Sequence, residues 1–246
     1  MAKHRRDIAK DSIIKSMLPA SEGLDIFESS AGRGELAIEL QQAGHRVRVS
    51  NYKSGSLQFD ILEDIVDLEV GLPYEDASFD VIICREVIEH IASNLPLLKE
   101  FARCLRPGGT LILTFPNKLS LPSRLYHLFT GFYNGLKSPI NPGVFFGEAH
   151  VNLIAYHEMD YLLRASGLSQ VRGRSSDIRP GAWLTAPLIP VVRLLTWYFL
   201  FQYKKKAQEH RKDKPEFVAY NREIYEAITS TELLLGKDVI LSARKD

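Results

Sequence analysis

Apolar and polar positions along the chain switch between a period of two and a period near 3.6, the alternation expected of strands followed by helices. Leu24, Ile26 and Phe27 form an apolar run that stops at Glu28, and Glu35 to Ala43 is helix-forming and ends at Gly44. Glycine just past a helix end takes the left-handed conformation without strain. His45 to Ser50 alternates as a half-buried strand, Ile65-Val66 is a shorter run, and Val81 to Cys84 is continuously apolar. Leu97 to Leu105 predicts a helix, Thr110 to Phe115 a fifth strand, and Leu119 to Thr130 an apolar-periodic cap helix. Glu158 to Ser166 predicts a helix, Leu168 to Gly173 a sixth strand, Glu216 to Ile228 a helix, and Leu233 to Ala243 the last strand. Ahead of all these, Lys3 to Met17 reads as a short basic helix packed across the domain edge through Ile8, Ile13, Ile14 and Met17. Strands alternating with helices predict an α/β domain.

The stretch LDIFESSAGRGEL, Leu24 to Leu36, organises the rest. A strand feeding a helix through a glycine-rich turn leaves free N–H groups at the helix start. Gly32 and Gly34 carry no side chain, so a ligand can approach the backbone there. Gly32, Gly34 and Ala37 also satisfy the dinucleotide pattern G-x-G-x-x-A, so the loop by itself does not choose its cofactor.

The following segment does. Asp67-Leu68 precedes Leu72-Pro73-Tyr74 and Ser78-Phe79-Asp80, then come Glu86-Val87-Ile88-Glu89-His90 and Leu105-Arg106-Pro107-Gly108-Gly109. In this order the series resembles the class I S-adenosylmethionine-dependent methyltransferases, with D-x-x-x-x-L-P-[FY]-x-x-x-S-F-D, E-V-I-E-H and L-[RK]-P-G-G. The loop resembles their motif I, D/E-x-G-x-G-x-G, with Glu28 as the acid and Ser30 in place of the first glycine.

The resemblance implies a Rossmann-like, doubly wound, seven-stranded, mostly parallel sheet with an antiparallel last strand. It implies S-adenosyl-L-methionine as cofactor, held by Glu28, Ser30, Ala31, Gly32 and Gly34. Asn51 falls where the family places an acid for the ribose hydroxyls; an amide oxygen accepts one such bond but lacks a carboxylate's two-oxygen grip. Asp67 would accept from the adenine amino group, Leu68 would wall the ring, and Arg85 opens the loop after the fourth strand. Glu89 and His90 read either as site residues or as the exposed start of a helix. His150 resembles the histidine element ahead of the last helix in many small-molecule methyltransferases. For a hydroxyl acceptor, His150 is the first candidate base and His90 the second, because neutral imidazole suits proton removal near pH 7.

Charge and composition narrow the class. Lys and Arg total 31 against 30 Asp and Glu, so no overall basic field points to nucleic acid. Two cysteines, Cys84 and Cys104, suggest a reducing compartment, and the charged N-terminus lacks the apolar run of a secretory signal, so a cytoplasmic location is expected. No Cys/His metal spacing stands out, so no metal is expected.

The chain reads as one domain, 1–246, with an N-terminal helix at 1–20, a substrate-side cap at 118–150 and an apolar and basic insertion at 176–231. Within that insertion Ala182 to Tyr203 is nearly continuously apolar and is followed by Lys204, Lys205 and Lys206. Pro187, Pro190 and Arg193 argue against a spanning helix. Aromatic residues beside lysines fit a segment lying in a headgroup interface, peripheral at the inner membrane face. A homodimer contact through 182–206, or a cap buried on the core, is the alternative. The expected acceptor is a small molecule or a lipid-linked compound, methylated on a hydroxyl. Two rivals stand beside this reading: a non-catalytic scaffold of the same fold, kept open by Ser30 and Asn51, and an NAD(P)-dependent oxidoreductase, which Asn51 disfavours.

Overall fold

The computed structural model describes residues 5–141, 143, 149–209 and 215–246. Seven strands form one sheet: β1 (Asp25–Ser29), β2 (Arg46–Asn51), β3 (Leu62–Ile65), β4 (Phe79–Arg85), β5 (Leu105–Pro116), β6 (Leu168–Arg174) and β7 (Asp238–Lys245), in the order β3-β2-β1-β4-β5-β7-β6. All neighbours are parallel except β7, which runs antiparallel to both β5 and β6. The strand order reverses between β1 and β4, and such a switch leaves a crevice at the carboxyl ends of the strands, where open α/β sheets bind ligands.

Period-two alternation distributes the central strands between two cores. Ile26, Val81, Ile83, Ile112 and Ile240 point to one face and pack on Ile14 of α1 (Arg5–Ser16) and on Leu36 and Leu40 of α2 (Glu35–Gln42). Phe27, Ile82, Cys84, Leu111, Leu113 and Phe115 point to the other face. They meet Leu98 and Phe101 of α3 (Asn94–Cys104) and Met159 and Leu163 of α5 (Tyr156–Ala165). Both faces are covered, so the central strands read as unbroken apolar runs.

Beyond the carboxyl end of β5, α4 (Leu121–Thr130), the 3₁₀ segment Pro180–Leu188 and α8 (Thr231–Leu235) gather around Leu121, Ala182, Ile189, Leu234 and Leu235. Asn117 fastens this group, its side-chain amide donating to the carbonyls of Leu233 (2.7 Å) and Gly236 (2.9 Å). Two long helices, α6 (Ile189–Glu209) and α7 (Pro215–Ile228), complete the insertion.

Several expected boundaries move. Leu233 to Leu235 belong to helix α8 and the last strand starts at Asp238, because Ser230 caps a short helix there by accepting from the Leu233 N–H. The third strand ends at Ile65 instead of starting there. Pro107-Gly108-Gly109 lies inside β5 as a bulge: Phe79 pairs with Leu105 but Val81 pairs with Thr110. The expected cap at 118–150 and N-terminal helix at 1–20 are described apart from 142, 144–148 and 1–4, and the charged stretch His210 to Lys214 lies outside the described residues.

Candidate functional site

After β1 the backbone turns sharply: Ser30 (φ 52°), Gly32 (φ 59°) and Gly34 (φ 80°) are all left-handed. For Ser30 this conformation carries strain, which concentrates at functional loops. The turn is pinned from β2. The Ala31 N–H donates to the Ser50 carbonyl at 3.0 Å, and the Gly32 N–H donates to Asn51 Oδ1 at 2.8 Å. Asn51 Nδ2 donates in turn to the Gly32 carbonyl (3.2 Å) and to Glu63 Oε1 (2.7 Å). The expected ribose ligand is therefore turned toward the loop, and its amide holds the glycine turn in shape.

The two glycines do different jobs. A Cβ on Gly32 would meet nothing within 4 Å, so this backbone borders open space. A Cβ on Gly34 would sit 2.8 Å from Leu57 Cδ2, so Gly34 permits close packing and not ligand approach.

A cavity of ≈ 700 Å³ opens above the loop. Of the sequence-predicted residues, Ser30, Gly32, Asn51, Asp67, Leu68 and His90 line it, joined by Glu86, Val87 and Ile91 from the end of β4. The volume suits a ligand of nucleoside size or larger. Glu28, Ala31, Gly34, Arg85 and His150 are not on this wall. Glu28 is buried beneath the loop with Arg85 Nη1 at 3.4 Å, and the same guanidinium lies 3.1 Å from Asp11. This acid and base support the loop from below.

Sequence reasoning missed the contribution of α1. Its Lys10 is buried, and Nζ reaches Glu86 Oε1 at 2.7 Å and Asp238 Oδ2 at 3.4 Å. Burial pulls the Lys10 pKa down, but Glu86 and Asp238 outweigh it and the pKa is raised. Burial pushes the Glu86 carboxyl up, and Lys10 with the Thr114 hydroxyl more than reverses that. Glu86 is left-handed (φ 51°), a second strained residue on the cavity wall.

Behind the cavity wall at His90 stand Glu89 and His150, neither of which lines the cavity itself. A 3₁₀ turn, Ile88–His90, follows β4 and buries Glu89 to 1% exposure, so the exposed helix start does not occur for this residue. Neither Glu89 oxygen has a hydrogen-bond partner, and burial, then the charge of Glu86, pushes its pKa up to about 8. His90 Nδ1 lies 3.0 Å from the Ala149 carbonyl, and His150 Nδ1 lies 2.7 Å from the Gly135 carbonyl. A carbonyl only accepts, so each Nδ1 carries the proton and each neutral ring keeps its lone pair on Nε2. The rings meet edge to face with centroids 4.7 Å apart. Burial, then His150, lowers the His90 pKa, which favours the neutral ring. The two candidate bases, 60 positions apart in the chain, thus share one corner.

Away from the cavity, the helical stretch Pro180–Gln202 is long and apolar enough to cross a membrane by length and composition, and only 6% of its most apolar window is buried. Trp183, Leu184, Leu194, Trp197, Phe199 and Phe201 are exposed. A cap buried on the core is therefore not what forms: only an edge through Ala182 and Ile189 docks. Arg193 is tied back to the turn after α7 and to the start of α8, donating to the Thr229 carbonyl at 3.0 Å and to Thr231 Oγ1 at 3.1 Å.

Residues 27–113 match the family described as "Methyltransferase domain". A protein of Mycolicibacterium smegmatis named "Probable S-adenosylmethionine-dependent methyltransferase" is 28% identical over 150 residues, covering 59% of this chain and 52% of the relative. The ubiquinone biosynthesis O-methyltransferase of Xanthomonas campestris is 31% identical over 111 residues, 41% of this chain and 45% of that protein. The matched part thus spans about half the length of these relatives. Among solved structures, a SAM-dependent methyltransferase from Thermotoga maritima superposes with TM-score 0.59 at 17% identity, covering 97% of this chain and 89% of the other. That likeness is one of fold.

Proposed function

We propose that this chain, which carries the class I S-adenosylmethionine-dependent methyltransferase domain, transfers a methyl group to a hydroxyl of a small-molecule or lipid-linked acceptor. One observation carries the reading: a single cavity runs from the bare Gly32 backbone past Asp67 and Leu68 to His90, which touches His150. The residues fit the cofactor. Gly32 offers open backbone, Asp67 an acceptor for an exocyclic amine, and Leu68 and Val66 an apolar wall for a purine. Once bound, S-adenosylmethionine supplies a methyl group on a good leaving group, so the chain's own contribution is placement and proton removal.

The chain's residues divide that work. Asn51, Arg85 and Glu28 hold the glycine turn, and Lys10 pairs with Glu86 on the cavity wall. The Nε2 lone pairs of His90 and His150, oriented by backbone carbonyls at Nδ1, act on the acceptor hydroxyl as its oxygen attacks. His150→Ala is expected to lower turnover about 100-fold or more while S-adenosylmethionine still binds, read by product formation and by calorimetry. Unchanged turnover would remove His150 from the mechanism.

The exposed apolar surface of α6 supports placing the acceptor at a lipid surface, with the chain peripheral at the inner face of a membrane. Apolar residues all round a helix, with three lysines next in sequence, fit a segment seated at the headgroup boundary. Co-sedimentation with anionic liposomes is expected, and is expected to be lost when Trp197, Phe199 and Phe201 are changed to serine. A dimer by ultracentrifugation without liposome binding would favour a contact between copies of this chain.

A further inference from the structure

We infer that Glu89, His90 and His150 form a binding site for one divalent metal ion beside the cavity, at its His90 wall. The inference extends the methyl-transfer reading but is argued from separate residues. The available carboxylate oxygen and imidazole nitrogens of the three side chains all lie within 4.8 Å of one another.

Three features set this corner apart from a chance cluster. The first is Glu89 itself: it is 1% exposed and both oxygens lack a hydrogen-bond partner. A buried acid with no donor is costly, and a cation is one way to satisfy it. The second is the tautomer of each histidine. Protein metal ligands commonly donate their second ring N–H to a carbonyl or carboxylate, which fixes the ring and frees the other nitrogen. Here both rings donate Nδ1–H to backbone carbonyls, Ala149 for His90 and Gly135 for His150, so both Nε2 atoms are free to bind. The third is that Lys10, whose charge reaches Glu89, is committed to ion pairs with Glu86 and Asp238.

Two imidazoles and one carboxylate with other positions open is a donor set suited to divalent transition ions such as Mn²⁺ or Zn²⁺. Ligand atoms around an ion at ~2.1 Å stand about 3 Å apart, so binding would draw the three side chains inward from their present separation. His150 can follow because it sits on the loop between α4 and α5. With an ion there, the two histidines are ligands and not the base. A bound ion would polarise the acceptor's O–H; a bond would then form from that oxygen to the methyl carbon as the carbon–sulfur bond breaks, sulfur would keep the electron pair, and the proton would pass to water.

The test uses the full-length protein stripped with a chelator, without S-adenosylmethionine, titrated with Mn²⁺ and followed by loss of the free-ion paramagnetic resonance signal. The expected result is about one Mn²⁺ per chain, competed by Zn²⁺. Glu89→Gln, which keeps the shape and removes the charge, and His150→Ala should each weaken binding by about tenfold or more. Far-UV circular dichroism and retained nucleoside binding show that each variant is folded. Stoichiometric Mn²⁺ binding lost in these variants supports the site. No binding by the unaltered chain, or equal binding by both variants, overturns it and leaves the histidines as bases. Because the titration contains no cofactor, failure of the metal site and failure of the methyl-transfer reading are told apart.

Discussion

The Gly32 end of the cavity and the corner behind its His90 wall are built on opposite principles. At the Gly32 end the polar groups answer one another: Asn51 bonds both the N–H and the carbonyl of Gly32, and Arg85 lies against Glu28 below. In the Glu89 corner a buried carboxyl without a donor lies within 4.8 Å of a ring nitrogen of each of two histidines. The first surface is held in shape before a ligand arrives, which lowers the ordering cost of binding. The second is incomplete as protein alone, and partly satisfied buried polar clusters are high in free energy. On the proposed reading, the first surface would seat the cofactor and the second would be completed by what binds there.

The largest expected effect on stability comes from the ion pairs that α1 makes behind the cavity wall. Lys10→Ala leaves Glu86 and the buried Asp238 without their cation and is expected to cost about 3 kcal/mol, the low end for breaking a buried pair because Glu86 keeps contact with solvent. A urea midpoint unchanged from the unaltered chain would show that α1 is not part of the site's foundation. Asn51→Ala should cost roughly 1–3 kcal/mol, the price of leaving the Gly32 N–H and Glu63 without a partner, and should weaken nucleoside binding more than it affects the Mn²⁺ titration. Equal damage at both ends would erase the distinction drawn between them.

The smallest effect lies at the far, amino-terminal edge of the sheet. Arg46, with Arg106, holds the Asp25 carboxyl at about 2, below the ordinary carboxylate range. A depressed folded pKa means that this stabilisation is present above about pH 4 and is lost as pH falls toward 2. Arg46 is 67% exposed, so solvent screens the pair and its contribution should be small. The stability difference between the unaltered chain and Asp25→Asn should accordingly shrink between pH 6 and pH 2.5. A difference independent of pH would assign the effect to packing.

The Gly32 end was the legible one. Its glycine turn, the Asp67-Leu68 pair and the alternation of Ile26 with Phe27 are local signals, and local spacing fixes them. What sequence reading missed depends on contacts across the fold. Lys10 and Asp11 look like the solvated face of a basic helix, yet they are buried because Glu86, Asp238 and Arg85 receive them. Asn51 stands at the expected position but turns to Gly32, a choice made by the neighbouring Glu63. Glu89 and His150 come together only when the chain after α4 folds back to β4, so no metal-ligand spacing is visible in the sequence. The Leu233 run has the composition of a strand, and only the Ser230 cap reveals its helix.

The central claim is that a sulfonium nucleoside rests on the open Gly32 backbone, and calorimetric titration of the purified chain tests it most directly. S-adenosylmethionine and S-adenosylhomocysteine should both bind, NAD(P) should not, and Gly32→Val should weaken both nucleosides by about tenfold, from a branched side chain forced into the left-handed region and into the cavity. No heat with either nucleoside, or binding of NAD(P) in their place, would contradict the account.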